Sequence, residues 1–595
     1  MLRKRSQQKS CVRDSIMIET LNRLTQRVFR FTIGWRAYAG VVQASFAILA
    51  FGLGIWGWFL HKPPNDMADY ANNLFRTLQL ITLQFPTQFD SGLPWQLHVA
   101  RLMVPLAALA ASLHLIIGAA TRPARLALMP RARNHIVICG DQQLTLDALK
   151  RLSEYGRQQV VVLSSGMNAS RRDTLESMGL TIVEGDPREA TTLKAVGISN
   201  AAALFLAGTD DLENLNIAIL AMNSAKERSP DKPPLILAVI LDHEALSHEL
   251  ALALDGLTRA AGMRYHRLCP DREGLALELT RNAPVFQKSN LEERSHIMVF
   301  GLFGRWEQTL MQLIVSGQDH PTHRVLLTIV VSPEERDALE LWRAERPELD
   351  LVAEFLLLAA GPALLPQANE IAKWRLMHAP PHLAVILRND AQALGTALAL
   401  RRPGSTLGLD ATRPILVRQS QEDHLLSALG TSFLGTERLA NFRVFGGLLR
   451  AESIARVLDL EGEEMAMALH ATYQNSTRTF QPGSPENIAA WGALPETLRN
   501  ANRSAVQHMS IILKAVGFEP GHPIDDSLIE RMARIEHRRW IVDRIEFGWR
   551  YAPERNDALL LHPSLRNYEE LTSEEQEKDH SQVRKLLELF LARGK

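Results

Sequence analysis

Residues 38–60 read YAGVVQASFAILAFGLGIWGWFL, twenty-three positions without a charge. As a helix they reach about 34 Å at ~1.5 Å per residue, enough for the hydrocarbon core of a bilayer. Trp35 and Tyr38 stand at one end and Trp56 and Trp58 at the other, where interfacial anchors sit. A second uncharged run, LMVPLAALAASLHLIIGAA at 102–120, is shorter and holds Pro105 and His114. Each run also fits a buried core helix, but few core helices run so long uncharged. Arg23, Arg27, Arg30 and Arg36 precede the first run, and Arg122, Arg125, Arg131 and Arg133 follow the second. The stretch between mixes Lys62 and Arg76 with Asp66, Asp69 and Asp90. The positive-inside rule predicts a multi-pass protein of the cell membrane with both termini cytoplasmic. No small-residue cleavage site follows the first run, which argues against a cleaved signal peptide.

Between the runs lies LFRTLQLITLQFPTQF, 74–89. Periodicity predicts a helix over 70–83 with Leu74, Leu78 and Ile81 on one stripe, stopped by Pro86. Such a segment either re-enters the membrane, where its backbone must be buried in protein or line water, or forms an external amphipathic hairpin. Span, re-entrant helix and span resemble the pore of two-helix cation channels. The resemblance implies a homotetramer in membrane lipid and a permeant cation, potassium among the candidates. The filter positions would be Thr82, Leu83, Gln84 and Phe85, of which only the threonine matches the potassium-filter pattern TVGYG. Leu, Gln and Phe resist the left-handed backbone that Gly takes freely. The expectation is therefore a wider opening lined by the Thr82 hydroxyl and the Gln84 amide.

The 595 residues carry 66 Lys+Arg and 66 Asp+Glu, so no net positive field points to nucleic acid. Cys11, Cys139 and Cys269 are too scattered for a disulfide framework or a zinc site, as befits a reducing cytoplasm. No H-E-x-x-H, G-x-S-x-G or P-loop occurs, and an enzyme is not expected.

From 135 the pattern changes. HIVICG, VVVLSS, LTIVEGD, AALFLAG and LILAVILD are buried-strand runs separated by helical stretches, which predicts a parallel, doubly wound sheet. The segment GLTIVEGDPREATTLKAVGISNAAALFLAGTDDLENLNIAILA resembles the RCK/TrkA-N family, which regulates potassium channels and transporters. That resemblance implies a Rossmann-like unit that binds a nucleotide or an ion and transmits this to a pore. Its nucleotide positions would be Gly140, Asp141, Ser164 and Asp186. Only Gly140 of the three fingerprint glycines is present, Ser164-Ser165 replaces the ribose-binding acid, and Asp141 repels phosphate. The spacing disfavours NAD and favours a structural scaffold. HIMVFGLFG, RVLLTIVV, LAVILRND and RPILVRQS then repeat the alternation as a more divergent RCK-like unit, with Gly301 and Gly304 as its weak fingerprint.

The C-terminal stretch RMARIEHRRWIVDRIEFGWRYAPERNDALLLHPSLRNYEEL resembles the RyR domain, the repeat named for ryanodine receptors. WGALPETLRNANRSAVQHMSIILKAVG, upstream, resembles the helical lead-in of bacterial RyR domains. The resemblance implies recognition of a small nucleotide-like ligand, its identity left open. Trp540, Trp549 and Tyr551 offer π faces. Arg499, Arg503, Arg544 and Arg555 offer guanidinium forks, with Asn502 and His537 beside them. The plainer alternative makes the tryptophans core and the arginines surface.

The expected fold class is a membrane α-helical module of two spans and a re-entrant pore helix, followed by α/β doubly wound Rossmann-like RCK domains and a mainly α-helical RyR domain. The expected segments are 1–37 cytoplasmic, 38–120 pore module, 121–134 linker, 135–290 and 294–460 RCK-like, and 491–590 RyR with its lead-in. The expected function is a ligand-gated ion channel. The alternatives are a non-conducting membrane-anchored sensor and a regulatory subunit of an ion-uptake transporter.

Overall fold

The computed structural model describes residues 42–85, 92–128, 132–140, 160–226, 232–241, 253–361, 365–402, 412–420, 441–446, 460–473, 493–519 and 523–593, with isolated positions between them. The chain divides into two compact units, Met1–Met129 and Pro130–Lys595.

In the first unit, the helix Val42–His61 is long and apolar enough to cross a bilayer; among the described residues no second helix meets that measure. The run 102–120 lies in a helix of 34 residues, Trp95–Leu128, which absorbs 121–128 of the expected linker. The helix Met67–Gln79 starts at Asp66, whose carboxylate accepts from the Asp69 N–H at 2.8 Å. Its expected stripe is exposed within the chain: Leu74, Leu78 and Ile81 point away, while Asn73 and Thr77 are buried. Gly54 explains the inversion, because a Cβ there would sit 2.6 Å from Thr77 Cγ2, so the absence of a side chain lets the helices meet at Thr77. Asn73 donates to the Lys62 carbonyl at 3.1 Å, and Thr77 to the Asn73 carbonyl at 2.9 Å, so neither polar group is stranded.

A 3₁₀ turn, Leu80–Thr82, follows, and Leu83 ends it at φ +59°. The expectation that Leu83 would resist the left-handed region is thus corrected. Leu83 takes it as the helix cap, donating its N–H to the Leu80 carbonyl at 3.1 Å. A single residue bears the strain of about 1–2 kcal/mol.

The second unit holds two parallel six-stranded sheets. The first comprises β1 (Ile136–Cys139), β2 (Val160–Ser164), β3 (Thr181–Glu184), β4 (Ala203–Leu206), β5 (Leu235–Ile240) and β6 (Met263–Leu268), in the order β3-β2-β1-β4-β5-β6. The second comprises β7 (His296–Phe300), β8 (Val325–Val331), β9 (Ala353–Ala359), β10 (Leu383–Ile386), β11 (Ile415–Arg418) and β12 (Phe442–Phe445), in the order β9-β8-β7-β10-β11-β12. Both orders are the doubly wound 3-2-1-4-5-6. β1, β7 and β8 are buried along their whole length, as strands covered on both faces must be.

The boundary between the two Rossmann-like units, hereafter the first and second units, is not where the strands suggest. Pro270–Asn282 follows β6, yet Leu275 and Leu279 belong to the core of the second sheet. A Cβ on Gly274 would lie 2.7 Å from the Gly446 nitrogen after β12, so this helix rests directly on the second unit. Among the described residues four long helices follow the second sheet: Leu460–Tyr473, the lead-in helix Glu496–Ala515, Asp526–Glu546, called the sensor helix after the role expected of it, and Ser573–Arg593. They share one core, in which Met509, Ile512, Met532, Ile535 and Leu586 are buried.

Candidate functional site

In a doubly wound sheet ligands settle beyond the strand ends where the order reverses, here after β1 and β7. At the first such point Gly140 stands at φ +72°, and an added Cβ would lie 2.8 Å from the backbone of Gly208. Gly140 is therefore required by a backbone crossing. Asn214 ties the same corner, donating to the carbonyls of Gly208 at 3.0 Å and Ile240 at 2.9 Å. Ser164 is buried at the end of β2. Asp186 is gripped through both oxygens by Arg188 at 2.8–3.1 Å, and that guanidinium holds its carboxyl below the usual range. Asp141 lies outside the described residues.

The second switch point is filled by side chains. Gly301 and Gly304 stand at φ +79° and +71°, and a Cβ on Gly301 would overlap the Arg388 guanidinium. Arg388 donates to Glu335 Oε1 at 2.7 Å, and Glu335 also accepts from the N–H groups of Leu302 and Ser332. Arg418 reaches Asp271 at 2.8 Å, on the helix delivered by the first unit. The other N–H groups of these two arginines include three without a hydrogen-bond partner among the described residues: Arg388 Nε and Nη2, and Arg418 Nη1. With the start of the helix Trp306–Ser316 beside them, they can hold a compact anion. A dinucleotide's pyrophosphate would have to displace Arg388.

The sensor helix carries two stripes. On one, Glu536 and Arg539 form a fully buried bidentate pair at 2.8 Å, joined by Asp543, Ser504 of the lead-in helix and Gln582. Burial pushes the Glu536 carboxyl up, against the opposing pull of Arg539. On the other stripe, the Arg544 guanidinium lies 5.2 Å from the Trp540 ring and 5.3 Å from that of Trp549. The chain thus supplies its own cation to both π faces. His537 stacks on Trp540 at 5.7 Å, donates from Nε2 to the Arg566 carbonyl at 3.0 Å, and faces Asp579 at 3.0 Å. His562 packs edge-on against both tryptophans, and burial, with Arg555 and Arg544 nearby, pushes its imidazole down to about 4. Trp549 is itself part of the second unit's core.

A cavity of about 180 Å³ lies at the end of the sensor helix. Its walls come from β6, Pro270–Asn282, Trp306–Ser316, the lead-in helix and the end of the sensor helix at Glu546 and Phe547. Arg503 donates to Glu496 at 2.9 Å, His266 Nδ1 faces the same carboxylate at 3.4 Å, and Arg272 pairs with Glu546. Burial works to raise Glu496, but Arg503, His266 and Arg499 outweigh it and hold the carboxyl far below its usual range.

The nine residues expected to share one RyR pocket are therefore divided. Trp540, Arg544, Trp549 and His537 form the aromatic cluster. Arg503 lines the cavity. Arg499 is fully buried, tying Glu496 at 2.8 Å to Asp255 of the first Rossmann-like unit at 3.4 Å. Asn502 donates to its own helix at the Leu498 carbonyl. Tyr551 and Arg555 are exposed, Arg555 holding Asp557 at 2.6 Å. In the unit Met1–Met129 Thr82 donates to the Gln79 carbonyl at 2.9 Å, and Leu83 and Gln84 are exposed. Phe85 turns back to stack on Trp58 at 5.7 Å. Sequence reasoning missed Arg388, Arg418, Glu335 and the cavity residues His266, Arg272, Glu496 and Glu546. A charged residue directly after a buried strand run, as in LAVILR, was the available signal.

Two family models match the chain: the TrkA-N domain over residues 136–251 and the RyR domain over 523–595. The chain carries a Rossmann-like TrkA-N domain and, after it, a RyR domain. Among solved structures, GsuK bound to ADP is 16% identical, with 72% of this chain and 98% of that chain covered at a TM-score of 0.33. A mutant of GsuK is 17% identical, with 71% and 96% covered at 0.33. The A chain of dipicolinate synthase from Bacillus subtilis is 11% identical, with 55% and 93% covered at 0.20. These likenesses are too distant for a shared function to follow from them.

Proposed function

We propose that the chain is a ligand-gated ion channel of the cell membrane, a homotetramer whose tandem Rossmann-like units relay the state of the RyR domain to a pore. The observation that carries this reading is how the sensor helix is built in. Ile541, Val542, Ile545 and Trp549 complete the core of the second Rossmann-like unit. Arg550 and the Tyr551 N–H hold Glu348 of the same unit at 3.3 and 2.9 Å, and the lead-in helix is pinned to the first unit through Arg499 and Asp255. A ligand that favours one arrangement of these helices must therefore favour one arrangement of both units. The match of a TrkA-N domain agrees with the regulatory part of this role.

In this reading the membrane unit supplies two spans and a re-entrant helix, and the permeant ion is a cation. The exposed stripe Leu74, Leu78 and Ile81 faces neighbouring copies or lipid, and the exposed Leu83 and Gln84 face the conduction path. Phe85 anchors the segment by its ring, against Trp58 and 6.0 Å from the Arg101 guanidinium.

The test is current across planar bilayers from the purified full-length protein, with nucleosides and nucleotides applied to the cytoplasmic side. Ligand-dependent openings are expected, with Gln84→Leu changing unitary conductance and Phe85→Ala abolishing stable openings. Silence under every compound would overturn the channel and leave a tethered receptor, the reading favoured by there being one helix of span quality among the described residues.

A further inference from the structure

The cavity beside the lead-in helix has a composition that restricts what can enter it. Arg267, Arg272 and Arg503 line it against Glu273, Glu496 and Glu546, so its formal charges cancel. The pairs Arg503–Glu496 and Arg272–Glu546 already satisfy one another. A polyphosphate would have to break them and then meet three carboxylates, a costly exchange in a buried site. Polar atoms of the lining that are buried without a hydrogen-bond partner among the described residues include His266 Nε2 and Glu546 Oε2. His266 is 7% exposed. Leu279, Val315, Ile511 and Phe547 supply apolar wall between them. At about 180 Å³ the space is smaller than the ~300 Å³ at which small-molecule pockets usually begin. It suits one planar ring system and no dinucleotide.

We propose that this cavity binds an uncharged, nucleobase-sized compound that donates an N–H to Glu546 and hydrogen-bonds His266, and that its occupancy clamps the lead-in helix to both Rossmann-like units. The walls make the clamp: β6 belongs to the first unit, Trp306–Ser316 to the second, and Glu546 and Phe547 end the sensor helix. None of the turn glycines and none of the aromatic-cluster residues lines the cavity. The proposal deepens the sensing role proposed above, but it is read by binding and needs no current.

Isothermal titration of the full-length protein in detergent with adenine, hypoxanthine, cytosine and uracil tests it, with ADP as the charged comparator. At least one base is expected to bind, with ADP no tighter. His266→Gln, which leaves the Arg272–Glu546 pair intact, is expected to weaken binding about tenfold. Ala276→Phe, which puts a ring into the cavity from its wall, is expected to abolish it while the thermal midpoint stays within a few degrees. Failure of all four bases to bind, or binding that both folded variants leave unchanged, would overturn the proposal. A chain that binds a base without conducting would sink only the channel reading.

Discussion

The two Rossmann-like units share one strand order and differ at one equivalent position. Two residues past β4 stands Gly208; two residues past β10 stands Arg388. Both positions meet the glycine turn after the unit's first strand. In the first unit backbone crosses backbone there, and Asn214 ties the corner. In the second a guanidinium lies over the turn and Glu335 holds it. The topology is set by strands buried on both faces and tolerates either solution. What can bind at the switch point is set by a handful of side chains that the topology does not dictate.

The largest effect expected from this difference is at Asp271. It comes from the first unit's final helix but neutralises Arg418 inside the second, with both side chains almost fully buried. Removing one partner of such a pair strands the other. Asp271→Ala is expected to cost about 3–5 kcal/mol, read in urea by tryptophan fluorescence. The described tryptophans of the Rossmann-like part all lie in the second unit, at 306, 342 and 374. A loss under 1 kcal/mol would mean that the second crevice is open to water, and the contrast with the first unit would fail.

A smaller effect separates the two turns directly. At Gly140 a methyl group meets backbone atoms of Gly208 that cannot swing aside, whereas at Gly301 it meets a flexible arginine. Gly140→Ala is expected to cost about 3 kcal/mol, combining left-handed strain with overpacking. Gly301→Ala is expected to cost less, and adding Arg388→Ala should return part of that loss. Equal costs for the two single variants, measured by hydrogen exchange in each unit, would show that the guanidinium is as fixed as backbone.

How much of this was legible follows from the same contrast. The central strands announced themselves as apolar runs, and HIVICG and HIMVFG gave away the repeat. The strands missed were β6, β9 and β12, which all lie at sheet edges. An edge strand is covered less, so it carries charges, as in MRYHRL and FRVF, and loses the apolar signature. The inverted face of Met67–Gln79 was hidden because a stripe of leucines reads the same whether it packs inward or toward lipid or another copy. The cavity was illegible for another reason. Its walls join elements within 266–316 to others within 496–547, and no local pattern encodes their meeting.

The repeat itself gives the last test. His135 precedes β1 and His296 opens β7, and both are buried. His135 meets the Val196 carbonyl at 2.7 Å, while His296 meets the Ala379 carbonyl at 2.8 Å and the Thr328 hydroxyl at 2.9 Å. Burial lowers both imidazoles, that of His296 from 6.5 to about 3. The unfolded chain therefore takes up protons that the folded one refuses as pH drops below about 6.5. Stability is complete above that value and is lost progressively toward pH 3. For His296 alone the expected loss between pH 7 and pH 5 is about 2 kcal/mol, and His320 and His382, whose imidazoles burial also lowers, add to it. Trp374, whose ring lies 5.4 Å from that of His296, reports it. His296→Gln should remove about 2 kcal/mol of the dependence seen by this fluorescence, while His135→Gln should leave it in place. A dependence unchanged by His296→Gln would show that the proton enters elsewhere and that the two histidines, equivalent in the fold, are not equivalent in their chemistry.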